Sequence, residues 1–115
     1  MKFGLIGAGC IGQLRAKALA QVDGCVLSAI VDVDPARARA MASSPDVKIF
    51  QDVQEMLPQA NVDAVIVSTP PQFHEGLVLS AFKAGKHVLC ENPLANTVEA
   101  CRRMVDAARA SGKVL

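Results

Sequence analysis

Gly7-Ala8-Gly9-Cys10-Ile11-Gly12 follows the apolar run Phe3–Ile6 and opens a stretch with helical spacing. A G-x-G-x-x-G pattern alone says little, because glycine is common. Its neighbours make it informative. Phe3–Ile6 has the length of a buried strand. Ile11, Leu14, Ala18, Leu19 and Val22 recur at helical intervals and predict a helix from about Cys10 to Gln21. A second apolar run, Val26–Val31, ends at Asp32, twenty residues beyond Gly12. Strand, glycine turn, helix, strand and acidic residue at this spacing form a βαβ unit suited to a dinucleotide. Gly7 permits the tight turn. Gly9 lets the backbone approach a pyrophosphate, and Gly12 lets the helix pack close to the strand. Cys10 and Ile11 lie inside the same turn, where a helix N-terminus offers free N–H groups and a positive dipole end to phosphate. The bland alternative is a glycine turn without a ligand.

The alternation continues outward. Asp34 and Pro35 read as N-cap and first-turn residues of an Ala/Arg helix reaching about Ser43. Val47–Phe50 is a weaker strand. Asp52 and Glu55 have capping-box spacing for a short helix through Leu57. Val62–Val67 is a β-branched strand, and Pro70-Pro71 break the chain after it. A helix from about Phe73 to Ala84 stops at Gly85. His87–Cys90 is a strand. Asn96 and Glu99 predict the start of a last helix to about Ser111, with Val98, Cys101, Val105 and Ala108 inward. Val114 and Leu115 are expected to begin a sixth strand. Strands alternating with helices imply right-handed crossovers and a parallel sheet. The expectation is one α/β domain over residues 1–115, a three-layer, doubly wound Rossmann sheet in order 3-2-1-4-5-6.

Composition closes off other classes. The 115 residues are 51% hydrophobic and 20% charged, with 12 Lys+Arg against 11 Asp+Glu. This balance excludes a disordered tail and a strongly basic nucleic-acid binder. With four Phe and neither Trp nor Tyr, stacking platforms for single strands are not expected. Cys10, Cys25, Cys90 and Cys101 form no C-x-x-C pair, so no metal site is indicated. Reduced thiols point to the cytoplasm. The apolar runs have strand length, well short of a membrane span, and the N-terminal residues do not read as a signal sequence. Cys10 reads as a small residue filling the turn, His87 as a packing residue and the Met residues as core fillers.

Ligands of such sheets bind at the carboxyl ends of the strands, where the strand order reverses. Gly7, Ser68-Thr69-Pro70 and Cys90-Glu91-Asn92-Pro93 should therefore line one crevice, and His74 could face it. Asp32 can accept both ribose hydroxyls of an adenosine and would repel a 2′-phosphate, which favours NAD over NADP. Arg37 lies close enough to tolerate such a phosphate but reads first as a solvated helix residue. Arg102, Arg103 and Arg109 complement the dipole of the last helix.

Taken with Asp32-Val33-Asp34-Pro35, Thr69-Pro70 with His74, and Ala84-Gly85-Lys86-His87-Val88-Leu89-Cys90-Glu91-Asn92-Pro93-Leu94-Ala95, the chain resembles the N-terminal domain of the Gfo/Idh/MocA oxidoreductases, the glucose–fructose oxidoreductase and inositol dehydrogenase family. The resemblance covers essentially the whole chain. It implies that Gly7, Gly9, Cys10, Ile11 and Gly12 bind the pyrophosphate of a nicotinamide dinucleotide and that Asp32 holds the adenosine ribose. It implies that Thr69, Pro70 and His74 border the nicotinamide side and that Glu91 contacts the nicotinamide ribose. The family places a lysine where this chain has Asn92. Asparagine can hydrogen-bond a hydroxyl, but it does not exchange a proton near neutral pH.

The resemblance also implies a C-terminal domain that supplies the substrate pocket and an oligomer interface, so the chain is expected to be part of a longer protein. A stand-alone module is the alternative. The leading expectation is the cofactor domain of an enzyme transferring hydride to or from a sugar- or polyol-like carbon. A catalytically silent NAD(H) sensor and a non-redox NAD-dependent glycosidase are the alternatives. A methyltransferase is disfavoured by the E-x-P segment and the glycine spacing.

Overall fold

Five strands and five helices alternate along the computed structural model, which describes residues 1–115. They are β1 (Lys2–Ile6), α1 (Cys10–Leu19), β2 (Val26–Val31), α2 (Pro35–Met41), β3 (Lys48–Phe50), α3 (Val53–Gln59), β4 (Ala64–Val67), α4 (His74–Lys83), β5 (His87–Cys90) and α5 (Val98–Ser111). A single 3-10 turn, Pro71–Phe73, leads into α4. All strand pairs are parallel, in the order β3-β2-β1-β4-β5. The doubly wound arrangement is the expected one, with five strands rather than six.

Val114 and Leu115, expected to begin a sixth strand, form no strand among residues 1–115. The N–H of Val88 donates to the carbonyl of Val114 at 2.9 Å, as a parallel ladder would begin. The N–H of Val114 then donates to Nδ1 of His87 at 3.1 Å, a side chain rather than the β5 backbone. His87 is thus half-buried and acts as an acceptor at the sheet edge.

Local chemistry starts and stops the helices. Oδ1 of Asp34 accepts from the N–H groups of Ala36 and Arg37. Oδ1 of Asp52 accepts from Gln54 at 2.8 Å. α4 ends where Gly85 takes φ +73°, with Lys86 N–H donating to Ala81 and Gly85 N–H donating to Phe82. That pair of bonds is a Schellman closure. Two expected ends move inward: α1 stops at Leu19 rather than Gln21, and α2 at Met41, because Ala42 is already extended.

Each sheet face carries its own core. Ile6, Val31, Val65 and Val67 pack with α3, α4 and α5 in a cluster of 16 buried residues. Leu5, Ile30 and Ile66 point the other way and pack with α1 and α2 in a cluster of 7. Alternate residues of one strand therefore serve opposite layers, which explains the unbroken apolar runs.

Two helix faces differ from the sequence expectation. The α5 cap is Thr97, not Asn96; its Oγ1 accepts from the N–H of Ala100 at 3.2 Å. The inward residues are Ala100, Met104 and Ala108, while Val98 is 61% exposed and Cys101 and Val105 are half-buried. In α1 the buried residues are Gly12 and Leu19, and Ile11, Leu14 and Val22 are exposed. Close packing against the sheet buries Gly12 at the start of α1 and Leu19 at its end, and leaves Ile11 and Leu14 outside.

Met104 is fully buried against the α4 layer, and Met56 is as deep, whereas Met1 is exposed. Met104→Ala is expected to lower unfolding free energy by about 2–5 kcal/mol in urea titrations. Leu14→Ala, on the exposed face of α1, should stay within about 0.5 kcal/mol of the parent.

Candidate functional site

The strand ends lie level. Ile6 is in register with Val31 on one side and Val67 on the other, and Val67 is in register with Cys90. Each ladder continues one residue further. Gly7 N–H donates to Val31, Ser68 to Ile6, Glu91 to Val67 and Asp32 to Phe50. Asp32, Gly7, Ser68 and Glu91 therefore stand in one row at the carboxyl edge, on both sides of the point where the strand order reverses. Backbone hydrogen bonds alone bring together residues that are up to 84 positions apart (from 7 to 91).

The glycine turn is built by contact. Gly7 has φ +100°, and a Cβ there would lie 2.7 Å from the carbonyl oxygen of Ser68. A Cβ on Gly12 would lie 2.1 Å from the carbonyl oxygen of Gly7. Gly9 differs: its φ is an ordinary −75°, and a Cβ would meet nothing within 4 Å. Nothing inside the protein requires glycine at position 9. The helix that begins there has no side-chain cap, although α2, α3 and α5 are capped by Asp34, Asp52 and Thr97. Its first-turn N–H groups have no intrahelical partners and lie at the positive end of the dipole, beside the strand ends. Cys10, expected to fill the turn, is instead exposed.

Asp32 is 8% exposed. Its Oδ2 accepts from the N–H of Ala8 at 2.7 Å and its Oδ1 from the N–H of Asp34 at 2.9 Å. The carboxylate thus ties β2 to the glycine turn, a structural task that the sequence did not reveal. Each oxygen keeps a further lone pair for a hydroxyl donor. The Arg37 guanidinium stands 4.0 Å from Asp32 and 3.9 Å from Asp34, half-exposed.

Beyond β4, Oγ of Ser68 and Oγ1 of Thr69 are buried with no hydrogen-bond partner in the protein. Thr69 touches the turn, its Cγ2 lying 3.1 Å from the position of a Gly7 Cβ. His74 is 1% exposed. Its Nε2 lies 2.7 Å from the carbonyl oxygen of Thr69, and its Nδ1 lies 3.1 and 3.2 Å from those of Pro93 and Leu94. The ring clamps the loop after β4 to the loop after β5, where the Asn92–Pro93 bond is cis. All three neighbours are backbone carbonyl oxygens, hence acceptors.

Glu91 is gripped by Arg15 of α1 through one guanidinium edge, with Nε donating to Oε1 and Nη2 donating to Oε2 at 2.8 Å. Arg15 holds the Glu91 carboxyl below the usual carboxylate range, chiefly through the hydrogen bond; burial opposes this, and the Arg15 charge adds to it. Burial, then the Glu91 charge, pushes the neighbouring Cys90 thiol up to about 11. The same fork recurs between Arg103 and Glu75 on the outer surface of α5 and α4. No group of three or more His, Cys, Asp or Glu is placed to hold a metal ion. A groove of about 630 Å³ lies at the opposite end of α1, lined by Lys17, Cys25, Met41 and Asp46 among others, and contains none of the row residues.

A level row at the carboxyl edge, a close glycine turn, an uncapped helix start and an acidic residue on β2 match one family model. It is the oxidoreductase family Gfo/Idh/MocA, NAD-binding Rossmann fold, matched over residues 1–115. The chain belongs to this family, as its NAD-binding domain. It is 42% identical over 118 residues to an inositol 2-dehydrogenase of Paracoccus denitrificans and 41% identical over 115 residues to that of Acidothermus cellulolyticus. These alignments cover 100% and 98% of this chain but 35% and 34% of the relatives. The chain thus spans about a third of their length. Among solved structures it resembles the WlbA dehydrogenase of Chromobacterium violaceum in complex with NADH and UDP-GlcNAcA, at TM-score 0.92 and 32% identity over 98% of this chain and 33% of that one. It also resembles GenD2 from gentamicin A biosynthesis in complex with NAD, at TM-score 0.94 and 28% identity over 100% of this chain and 33% of that one. No helix is long and apolar enough to cross a membrane.

Sequence reading placed Ser68 in the crevice wall but missed Arg15 and the amide of Ala8 as members of the site. Arg15 carried no signal, because its partner is 76 residues away.

The glycines separate structure from ligand space. Gly12→Ala drives a methyl into backbone and should cost several kcal/mol, about 3 or more by the usual scale of core overpacking and strain. Gly9→Ala should leave the thermal midpoint unchanged, or raise it slightly through reduced chain entropy. Paired melting curves check both.

Proposed function

We propose that this chain holds NAD(H) across the row at the strand ends, for an oxidoreductase that moves hydride to or from an alcohol or carbonyl carbon of a sugar or polyol. Gly9 carries the reading. Its side-chain space is empty and its φ is ordinary, so a ligand pressed on the backbone is what a side chain would obstruct. The buried, partnerless Ser68 and Thr69 hydroxyls beside the turn support the same occupant.

The N–H groups of Cys10, Ile11 and Gly12 bind the pyrophosphate at the helix start. Asp32 accepts the adenosine ribose hydroxyls on the lone pairs left free by Ala8 and Asp34. Its negative charge disfavours a 2′-phosphate, which sets NAD over NADP, while Arg37 moderates that preference. Thr69, Pro70 and His74 form the wall of the nicotinamide half, and Glu91 accepts from its ribose. When bound, the nicotinamide supplies the hydride acceptor or donor. The substrate pocket and the group that carries the substrate proton belong to a further domain of a longer protein, which also forms the oligomer contact. Four free thiols suit a cytoplasmic location.

Asn92 favours a second reading. It stands at the family's lysine position and does not carry a proton, as suits a silent NAD(H)-binding sensor. Substrate turnover by the longer protein that survives Asn92→Ala would exclude the sensor and show that the proton moves elsewhere.

Equilibrium titration at fixed salt tests the cofactor site. NADH should bind tighter than NADPH. Gly9→Ala should weaken NADH by about tenfold, roughly 1.4 kcal/mol, without lowering the melting temperature. Equal NADH affinity in Gly9→Ala, or no binding to the parent at millimolar NADH, would overturn the assignment.

A further inference from the structure

We propose that Arg15 is a positioning residue for the nicotinamide half of the cofactor: it reaches across the crevice from α1 and fixes the Glu91 carboxylate at the end of β5. This rests on the cofactor reading above and adds a residue to it. Three observations carry it.

The first is placement. Glu91 stands in the row of strand ends, held there by its N–H donating to Val67 at 3.1 Å. Arg15 lies on the helix that begins at the glycine turn, five residues after Cys10. The two meet only because the turn and the β5 loop flank one crevice.

The second is geometry. Arg15 Nε donates to Oε1 and Nη2 donates to Oε2, a two-point fork that fixes both the distance and the plane of the carboxylate. A carboxylate oxygen has two lone pairs, so each can still accept a hydroxyl while the fork is closed. The Glu91 side chain is 13% exposed and the Arg15 side chain 46%. The acceptor thus sits in the crevice wall and its holder at the rim.

The third is the internal comparison. Arg103 makes the same fork with Glu75, but between α5 and α4, which already pack through Met104, Val78 and Phe82. That pair is a surface clasp between two helices. The Arg15 pair has one end in the row. The groups acting on Glu91 are Arg15 from α1, His74 from α4 and the Asn92 N–H from its own loop, all favouring the ionised form. Lysine at position 15 would keep the charge but lose the planar fork.

The test uses the 115-residue chain and three variants, Arg15→Ala, Arg15→Lys and Arg103→Ala. Affinities are measured for NADH and for ADP, which lacks the nicotinamide riboside, and the Glu91 carboxyl is titrated by NMR. In Arg15→Ala the Glu91 carboxyl should protonate at higher pH than in the parent. NADH affinity should fall by about tenfold at neutral pH, and its loss on acidification should begin at a higher pH. ADP affinity should be unchanged. Arg15→Lys should lie between parent and Arg15→Ala, and Arg103→Ala should alter neither ligand. Undiminished NADH affinity in Arg15→Ala, equal losses for NADH and ADP, or an unmoved Glu91 titration would each overturn the proposal. If the parent binds neither ligand while the Glu91 titration still moves, the fork is real but the cofactor reading fails, and the positioning role falls with it.

Discussion

The approach of Gly12 to the Gly7 carbonyl governs the rest of the molecule. With no room for a single methyl between them, the start of α1 is pressed onto the end of β1. That closeness puts the uncapped amides of α1 over the strand ends, where an anion can reach them. It also decides which face of α1 is buried. Gly12 and Leu19 turn inward, and Ile11, Leu14 and Arg15 turn away from the sheet. Asp32 reinforces the arrangement from the next strand by accepting the Ala8 N–H. The contacts that close this end of the fold are therefore the same contacts that shape the crevice.

Features set by local chemistry were legible in the sequence. Asp34 and Asp52 cap the helices they appeared to cap, because an N-cap bond spans only two or three residues. Gly85 ends α4 for an equally local reason. The strand order was legible because right-handed crossovers leave few alternatives. Features decided by packing were not. The apolar spacing of α1 marked a helix but not its buried face, since close backbone approach overrides side-chain hydrophobicity. In α5, a one-residue shift of the cap from Asn96 to Thr97 accompanies an inward face of Ala100, Met104 and Ala108. Both residues are good caps, and spacing to Glu99 alone chose the wrong one.

The candidate site divides along the same line. Gly7, Gly9, Gly12 and Asp32 fall within one βαβ unit and could be read from spacing. The clamp of His74 on Thr69, Pro93 and Leu94 joins two loops, and its buried position was not visible from a helix-start histidine. The Arg15–Glu91 fork joins residues far apart in the chain. An arginine on a helix surface reads as a solvated charge until the sheet brings its partner to it.

The row at the strand ends is preorganised by main chain, not side chain. Each of Asp32, Gly7, Ser68 and Glu91 is held by one more rung of a ladder already formed beneath it. Little further ordering entropy is then needed when a ligand arrives. The hydroxyls of Ser68 and Thr69 work in the opposite direction. Buried without partners, each costs the bare fold about 1–3 kcal/mol. A ligand that offers them acceptors or donors recovers that cost and gains affinity with no movement of the backbone. A rigid ladder that fixes the site, with unmet polar demand left inside it, is the physical form of a binding crevice rather than of a closed core.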